Sequence, residues 1–258
     1  MENVIEVQGL TKRYREKTAV DDLSFEVHRG EILGLLGPNG SGKSTTINCI
    51  LSLLKYQGGV IRVFGREMRP DSRDLKAQIG VIFQDVAVFD ELNVQDNIDY
   101  FCGLYITDKK TRREYCEDAI RFTGLEDYRK YRPKKLSGGL LRRLNIACSI
   151  AHKPKLLFAD EPTVAVDPQS RNRILDGFRE LRDSGVTIVY TTHYMEEAEL
   201  LCDRVIILDL GKIIASGTVS ELKALVRKEE EAQGAVLDES ELTLNDVFLK
   251  LTGKDLRD

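Results

Sequence analysis

The sequence predicts an α/β fold, and three observations indicate how that fold is organised. Glu31–Leu36 (EILGLL) is a short apolar run typical of a buried strand, and it leads into the glycine-rich stretch Gly37–Thr45 (GPNGSGKST). Val4–Leu10 and Leu23–Val27 instead alternate apolar and polar residues, as strands with one solvated face do. Asp90–Ala151 has helical spacing and no clear strand. We therefore predict an α/β core, an N-terminal antiparallel β layer and an inserted helical lobe.

Composition narrows the class of protein. The 258 residues carry a formal net charge of −4 and suit one large α/β domain, or one domain with a small lobe. The basic stretches Arg112–Arg113, Arg129–Lys135 and Arg142–Arg143 are scattered, so we interpret them as solvated faces rather than a nucleic-acid surface. No apolar run approaches the ~18 residues of a membrane span, and the N-terminus has no signal-peptide pattern. Any membrane connection is therefore expected to come through a partner.

The cysteines predict reduced thiols rather than a metal site, because none has CxxC spacing. Three of them lie in apolar helical patterns. The five are Cys49, Cys102, Cys116, Cys148 and Cys202.

The remaining elements follow in chain order. The segment around Tyr14 (TKRYREKTAV) is predicted to be a loop, and the short turn His28–Gly30 is expected to join antiparallel strands. Thr111 is the expected N-cap of a lobe helix, with Glu114 three residues later. The lobe is predicted over residues 90–151 and a C-terminal extension over 218–258, with an acidic, exposed stretch after Glu231. Further strands are predicted over Gly58–Phe64, Ile79–Phe83, Leu156–Ala159, Val186–Thr191, Val205–Asp209 and Lys212–Ser216. Helices are predicted over Ser44–Leu53, Val94–Leu104, Lys109–Thr123, Leu140–Ala151, Gln169–Asp183, Met195–Leu201, Val219–Glu231 and Leu242–Leu251.

The stretch Gly37–Thr45 is a phosphate-binding loop of the form Gly, four residues, Gly, Lys43, Ser44. Gly40 and Gly42 lack a Cβ, so the backbone can wrap closely around phosphate oxygens. Successive N–H groups and the positive end of the following helix point at that anion. Lys43 supplies a cation for the β- and γ-phosphates, and the Ser44 hydroxyl is a hard oxygen ligand for Mg²⁺. The loop therefore predicts a nucleoside triphosphate site.

Other polar residues lie at strand ends, where ligands of open α/β sheets bind. Gln84 directly follows a strand, so it could contact a ligand there, or it could be an ordinary hydrogen-bonded polar residue. Asp160 can hold Mg²⁺ or its water while Glu161 polarises an attacking water, although a strand that exits to solvent would also carry such acids. His193 can donate to a γ-phosphate or be structural.

Two further features have both a functional and an ordinary interpretation. In Leu136–Leu140 (LSGGL), Ser137 is a good N-cap, and Gly138–Gly139 leave the first-turn N–H groups uncovered. This segment is either a second anion-binding site or the ordinary start of a capped helix. Tyr14 can stack on an adenine or be an exposed loop tyrosine.

With these motifs in order, the chain resembles the ATP-binding cassette of an ABC transporter over roughly Val4–Gly217. The resemblance implies a P-loop NTPase core and ATP hydrolysis with Mg²⁺ as cofactor. It matches Glu161 to the catalytic glutamate and His193 to the switch histidine, and it matches Ser44, Gln84 and Asp160 to the metal site. It also implies these nucleotide-binding residues: Tyr14, Val20, Gly37, Pro38, Asn39, Gly40, Ser41, Gly42, Lys43, Ser44, Thr45, Gln84, Ser137, Gly138, Gly139 and Asp167.

The resemblance also implies partners. The family's signature motif matches Leu136–Leu140. In this family two cassettes sandwich two ATPs, each between one chain's phosphate loop and the other chain's signature motif. A second cassette, in a homo- or heterodimer, and a transmembrane permease subunit at the cytoplasmic face of the membrane are therefore expected, and no nucleic acid. The end of the chain, LTLNDVFLKLTGKDLRD, resembles drug-resistance exporters. The apolar segment DVAVFDELNV after Gln84 either packs inside the lobe or forms a groove for a short helix of the membrane subunit.

Two positions depart from the family pattern, and two alternative functions remain. Leu140 ends the signature where the family has Gln, and Ala165-Val166-Asp167 replaces Gly-Leu-Asp, but neither change removes a charged or catalytic group. One alternative is a soluble ABC ATPase acting on ribosomes or DNA. The single cassette and the absence of sustained heptads in Thr46–Leu136 weigh against it. The other is a non-catalytic partner cassette, against which Glu161 and His193 argue.

Overall fold

The chain divides into two compact units. The first comprises Met1–Ser72 and Val189–Asp258, and the second comprises Arg73–Ile188. The structure is a computed structural model that describes residues 2–232 and 242–253, with side chains up to 228 and from 242 onward.

An antiparallel sheet forms the N-terminal part of the first unit, which confirms the predicted β layer. Apolar residues of its first strand are buried, among them Ile5, Val7 and Leu10. The strands pair as far as Tyr14 and Lys17, so Tyr14 lies in a strand and the predicted loop is wrong. A two-residue turn suffices to reverse the chain. The strands are β1 (Asn3–Tyr14), β2 (Lys17–His28), β4 (Gly58–Val63) and β5 (Arg66–Glu67), in the order β2-β1-β4-β5.

A second set of strands in the first unit includes β3 (Ile32–Leu36), which lies in a different sheet from β2. The turn at His28–Gly30 therefore does not join antiparallel partners, and that expectation is wrong. The backbone N–H of Ile32 instead donates to Asp203 Oδ2 at 2.8 Å, and the Asp203 N–H donates to the Ile32 carbonyl at 3.0 Å. β3 is buried along its whole length, as strands covered on both faces are.

β3 pairs in parallel with β9 (Arg204–Asp209), and β9 pairs antiparallel with β10 (Lys212–Gly217) in a hairpin. This confirms the strands predicted over Val205–Asp209 and Lys212–Ser216. The helices of the first unit are α1 (Lys43–Ile50), α7 (Met195–Leu201), α8 (Val219–Ala232) and α9 (Leu244–Thr252).

Two helix ends in the first unit differ from prediction. α1 stops before Leu53 because Ser52 adopts φ 55°, outside the helical region. α9 starts at a capping box of Thr243 and Asp246 rather than at Leu242. The acidic stretch predicted after Glu231 lies outside the described residues. No helix in the described ranges combines the length and apolar character needed to cross a membrane.

The second unit contains a parallel strand pair and most of the helices. β6 (Ile79–Ile82) pairs in parallel with β7 (Leu156–Asp160), and β8 (Thr187–Thr192) crosses the boundary between the units. Its helices are α2 (Arg73–Lys76), α3 (Val94–Gly103), α4 (Lys109–Thr123), α5 (Gly138–Ile150) and α6 (Pro168–Asp183). The span 90–151, all of it described, contains no strand. Mixed α/β structure of this kind confirms the predicted fold class, while the lobe and extension boundaries stay predictions. All five cysteines are buried free thiols.

The start of α4 differs from prediction, because its N-cap is Asp108 and not Thr111. Asp108 Oδ1 accepts a hydrogen bond from the Thr111 N–H at 2.9 Å and another from the Thr111 hydroxyl at 2.7 Å. A carboxylate at this position satisfies a first-turn donor that has no partner within the helix.

We expect Asp108→Ala to lower the melting temperature at neutral pH more than Thr111→Ala, which leaves the backbone bond intact. The Thr111 N–H lowers the pKa of Asp108 below its ordinary value. A lowered folded-state pKa means that the stabilisation is complete above the unfolded-state pKa and is lost as pH falls through the folded-state pKa. The difference in melting temperature between wild type and Asp108→Ala should shrink over that acidic range. Equal losses in the two variants at neutral pH would contradict this cap assignment.

Candidate functional site

The phosphate loop connects the end of β3 to the start of α1. The N-cap residue of α1 is Gly42, at φ 111°, and it provides no side-chain cap. First-turn N–H groups have no intrahelical partner and carry the positive end of the helix dipole. The start of α1 therefore presents N–H donors suited to phosphate oxygens.

Close packing requires glycine at two positions of this loop. A Cβ at Gly37 would collide with a backbone carbonyl oxygen of β9, and a Cβ at Gly42 would lie 2.7 Å from the Ala19 carbonyl oxygen in β2. The Gly211 N–H, in the β9–β10 turn, donates to the Ser41 carbonyl at 3.0 Å. Elements far apart in sequence thus hold the loop in a shape that a side chain would disrupt.

Lys43 lies buried inside the loop that it follows. Its Nζ donates to the carbonyl oxygens of Gly37 at 2.8 Å and Pro38 at 3.2 Å. The next residue, Ser44, is half-buried in the first turn of α1. A cation and a hard hydroxyl oxygen therefore adjoin the same N–H donors, a donor set that suits a phosphate chain with Mg²⁺.

Tyr14 and Val20 lie on the two strands of the β1–β2 hairpin. Tyr14 is 44% exposed, and Lys12 Nζ lies 4.6 Å from its ring centroid. Val20 is fully buried, and its Cγ2 would lie 3.6 Å from a Cβ at Gly42. Val20 therefore packs against the phosphate loop. Adenine stacking by the exposed Tyr14 ring stays a prediction.

His193 directly follows β8, and its ring centroid lies 4.1 Å from that of Tyr194. The strand end is braced by Glu197 in α7, whose Oε2 accepts from the Tyr190 hydroxyl at 2.7 Å and the Thr192 hydroxyl at 3.2 Å. This buried carboxylate therefore connects α7 to two side chains of the strand that His193 follows. The sequence did not predict a role for Glu197, because its pattern is that of an ordinary acidic residue in a helix.

In the second unit, two groups of predicted site residues lie at the same edge of the β6–β7 pair. Ile82 is in register with Ala159, so Gln84 and Glu161 each follow a paired residue by two positions. Because the strands are parallel, both segments leave at their carboxyl ends, where ligands of such sheets bind. Asp160 is the last residue of β7.

The acidic pair is buried and its backbone is strained. Asp160 is 7% and Glu161 is 5% exposed. Glu161 also adopts φ 47°, a left-handed conformation that costs a non-glycine residue of order 1–3 kcal/mol. The strain redirects the chain immediately after Asp160, so the two carboxylates do not simply continue the strand. The alternative of a strand exiting to solvent does not describe these buried acids.

The signature segment starts α5. Ser137 is its N-cap, and the Ser137 hydroxyl accepts from the Leu140 N–H at 3.3 Å. Gly139 is buried, and a Cβ there would collide with Ser170 Oγ and lie 3.0 Å from Asp167 Oδ2. Asp167 in turn caps α6 and accepts from the Ser170 N–H at 2.9 Å, which lowers the pKa of Asp167. The starts of α5 and α6 are therefore in direct contact.

The segment Ala165-Val166-Asp167, where the family has Gly-Leu-Asp, has a strained backbone at its first residue. Ala165 adopts φ 59°, in the left-handed region that glycine occupies without penalty. An L-residue there costs roughly 1–2 kcal/mol. Ala165 therefore bears a strain that glycine would avoid in the same conformation.

The interpretation of Arg142 as a solvated residue is wrong. Arg142 is 5% exposed and donates to the backbone carbonyls of Phe83 and Gln84. Burial lowers the pKa of its guanidinium, although arginine stays charged. Asn145 was also missed, and its Oδ1 accepts from the Ala87 N–H at 3.2 Å. The sequence signal that could have identified both residues is their spacing, because two polar residues three positions apart interrupt a helix that is otherwise largely apolar.

The predicted site residues divide between the two units. The first unit contains Tyr14, Val20, Gly37, Pro38, Asn39, Gly40, Ser41, Gly42, Lys43, Ser44, Thr45 and His193, and the second contains Gln84, Ser137, Gly138, Gly139, Asp160, Glu161 and Asp167.

A sequence model of the family described as ABC transporter matches residues 20–164, more than half of the chain. The chain belongs to the ABC transporter family. It is 40% identical over 219 residues to the linearmycin resistance ATP-binding protein LnrL of Bacillus subtilis, covering 85% of this chain and 70% of that one. It is 42% identical over 220 residues to the daunorubicin/doxorubicin resistance ATP-binding protein DrrA of Streptomyces peucetius, covering 85% and 67%.

Solved structures agree with this ABC assignment. An ATP-binding subunit of an ABC transporter aligns with a TM-score of 0.82 at 27% identity, covering 96% of this chain and 99% of that one. A dimeric post-hydrolysis cassette bound to ADP and Pi aligns with a TM-score of 0.76 at 26% identity, covering 83% and 98%. The predicted recognition, fold class and ATPase activity are confirmed. The roles of individual site residues stay predictions.

We expect Leu140→Gln to change turnover by less than about tenfold, or ~1.4 kcal/mol, because we predict that backbone N–H groups and the Ser137 hydroxyl bind the γ-phosphate and that the side chain of residue 140 does not. Gly139→Asp should abolish turnover, since its Cβ would collide with Ser170 and its carboxylate would lie beside Asp167. Steady-state ATPase assays on the folded variants test both.

A pair of alanine variants separates packing from phosphate contact. A Cβ at Gly138 would have only the Ala165 carbonyl, at 3.8 Å, within contact range, so Gly138→Ala should melt at a higher temperature than Gly139→Ala. A folded Leu140→Gln variant without activity would contradict the assignment to backbone groups.

Proposed function

We propose that this cassette hydrolyses Mg²⁺-bound ATP between two cassettes and thereby powers export through a separate membrane subunit. The observation that carries the hydrolytic part is the buried Asp160–Glu161 pair at the carboxyl end of β7, in register with the segment that leads to Gln84. Carboxylate oxygens are preferred ligands of Mg²⁺, and a carboxylate can also polarise an attacking water, so this pair suits a metal-bound triphosphate.

The roles divide by chemistry. The N–H groups at the start of α1 and the Lys43 ammonium bind the β- and γ-phosphates. The hard oxygen donors of Ser44, Gln84 and Asp160 suit Mg²⁺, which when bound would neutralise charge on the phosphates. Glu161 polarises the attacking water and His193 donates to the γ-phosphate.

Pairing of two cassettes follows from the two anion-binding features of the chain. The uncapped start of α1 and the start of α5 each offer N–H donors, and the signature presents the Ser137 hydroxyl with them. A solved relative is a dimer bound to ADP and Pi, which supports a second cassette as partner. Each ATP would then contact the phosphate loop of one chain and the signature of the other.

Export is supported by the relatives. LnrL and DrrA are named as resistance proteins, and a 39% identical protein of Ralstonia nicotianae is named as a Nod factor export protein. We propose that this chain, too, drives substrate outward and is held at the cytoplasmic face of the membrane by a permease subunit.

The proposed permease contact is the aromatic surface formed by Phe89, Tyr100 and Phe101. The Phe89 ring centroid lies 4.9 Å from that of Tyr100 and 5.7 Å from that of Phe101. Phe89 nevertheless stays 41% exposed and Tyr100 46%. The buried Asn97 amide fixes the loop by accepting from the Phe89 N–H at 2.8 Å and donating to the Phe89 carbonyl at 3.0 Å. The loop thus packs on α3 and still presents aromatic surface suited to a short amphipathic helix.

Glu161→Gln should retain ATP binding, lose turnover and trap an ATP-bound dimer, because the amide cannot polarise water but keeps the shape of the side chain. ATPase assays and size-exclusion chromatography with ATP measure these effects. Glu126→Gln, at an exposed carboxylate, is the charge-matched control and should behave as wild type. Near-normal turnover in Glu161→Gln would refute the assignment.

Phe89→Asp should leave ATP binding by the isolated chain intact while weakening co-sedimentation with permease-containing membranes and reducing transport. Tyr105→Asp is the control, since Tyr105 is 43% exposed but stacks on His152, which contacts the start of β6 rather than the loop after it. Unchanged co-sedimentation and transport in Phe89→Asp would overturn the surface assignment. A Phe89→Asp chain that fails to fold would instead assign this loop to internal packing.

A further inference from the structure

One face of α5 carries polar side chains that bond the backbone leading from β6 to Gln84. Arg142, Asn145 and Ser149 are spaced at i, i+3 and i+7, which places them on one side of the helix. The Ser149 hydroxyl donates to the Val81 carbonyl at 2.8 Å, within the strand. The first turn of the same helix carries the signature residues.

Two of these side chains hold the segment beyond the strand. β6 ends at Ile82, so the backbone after it has left the β6–β7 ladder. Arg142 Nη1 donates to the Phe83 carbonyl at 2.9 Å and Nη2 donates to the Gln84 carbonyl at 2.7 Å. Farther along, the Asn145 Oδ1 accepts from a backbone N–H of the same loop. The guanidinium fork thus brackets the peptide unit that carries Gln84.

The burial of Arg142 makes this connection stiff. An arginine side chain stays charged, and a buried charge must be compensated by hydrogen bonds or an opposite charge. Moving α5 relative to the Gln84 backbone would break two short charge-assisted hydrogen bonds and leave the guanidinium poorly solvated. The start of α5 and the Gln84 peptide are therefore expected to move together.

We propose that Arg142 is a positioning residue that couples the signature helix to Gln84 and so links the two ATP sites of the dimer. The inference rests on the proposed function, in which the signature contacts one ATP while Gln84 acts on the Mg²⁺ of the other. Engagement of Ser137–Gly139 by an ATP displaces the start of α5. Through Arg142, that displacement moves the carbonyls of Phe83 and Gln84 and with them the Gln84 side chain.

The neighbouring Arg143 provides a matched control. It lies on the same helix, and its Nη1 donates to the carbonyls of Thr123 at 3.0 Å and Gly124 at 3.2 Å, at the end of α4. Arg143→Met therefore removes the same kind of bond from the same helix without touching the Gln84 segment. A purely structural role for Arg142 would give the two methionine variants similar properties.

The test is a double-mutant cycle on the purified full chain, combining Arg142→Met with Gln84→Ala. Methionine keeps much of the apolar stem and removes the donors. The measurements are kcat, the Mg²⁺ concentration for half-maximal ATPase activity, ATP affinity and melting temperature. Hydrogen–deuterium exchange of the peptide spanning residues 83–89 reports directly on the loop.

We expect Arg142→Met to lower kcat by at least about fivefold and to raise the Mg²⁺ requirement, with ATP affinity changed less than about twofold. In the Gln84→Ala background the same substitution should change kcat less than about twofold, because a residue acting through Gln84 has nothing left to position. Exchange of 83–89 should increase in Arg142→Met only. Arg143→Met should lower the melting temperature while leaving the Mg²⁺ requirement unchanged.

Three results would overturn the proposal. They are additive effects of Arg142→Met and Gln84→Ala, an unchanged Mg²⁺ requirement in Arg142→Met, and equal kinetic effects of the two methionine variants. A Gln84→Ala chain with wild-type kcat and Mg²⁺ requirement would reject the proposed role of Gln84, and the coupling would be rejected with it. This result distinguishes a failure of the proposed function from a failure of the Arg142 assignment alone. If Arg142→Met does not fold, Arg142→Lys, which retains the charge but replaces the planar fork by a single ammonium nitrogen, enters the same cycle with the same criteria.

Discussion

Phosphate oxygens are best held by backbone N–H groups that nothing else satisfies, and this requirement shapes the first unit. The start of α1 is left without a side-chain cap, and the loop before it is fixed by β2, by β9 and by the β9–β10 turn. Because neighbouring backbone approaches Gly37 and Gly42 closely, no larger residue could occupy either position. The antiparallel sheet and the β9–β10 hairpin therefore both hold the backbone of the phosphate loop in place, beside the buried Lys43 ammonium.

The second unit meets a different constraint, since it holds the carboxylates of Asp160 and Glu161 out of water. It does so at a strand end, where the chain turns sharply through the left-handed conformation of Glu161. Ala165 adds a second strained residue only a few positions later. Such strain persists only where surrounding packing imposes it, and here the buried contact between Gly139 and the start of α6 supplies packing next to the segment.

Side-chain bonds to backbone connect the functional segments of this unit. Asp167 and Ser137 cap helices whose first turns touch, and Arg142 and Asn145 hold the loop after β6. A hydrogen bond to a backbone carbonyl fixes where a neighbouring side chain starts without constraining that side chain itself. A residue held in this way can follow the movement of a helix while its own side chain stays unconstrained by that bond.

The sequence by itself determined the α/β class, the phosphate loop, the order of the motifs and most strand and helix spans, because apolar periodicity and glycine spacing are local properties. Only tertiary structure decided that Tyr14 belongs to a strand, that Asp108 rather than Thr111 caps α4, and that Arg142 is buried. Each of these depends on a partner elsewhere: a paired strand, a competing side chain, or two carbonyls 58 and 59 residues away in the chain. A local sequence pattern assigns a charged residue to the solvent because desolvating a charge is costly. It contains no information about hydrogen bonds from a distant segment that compensate this cost.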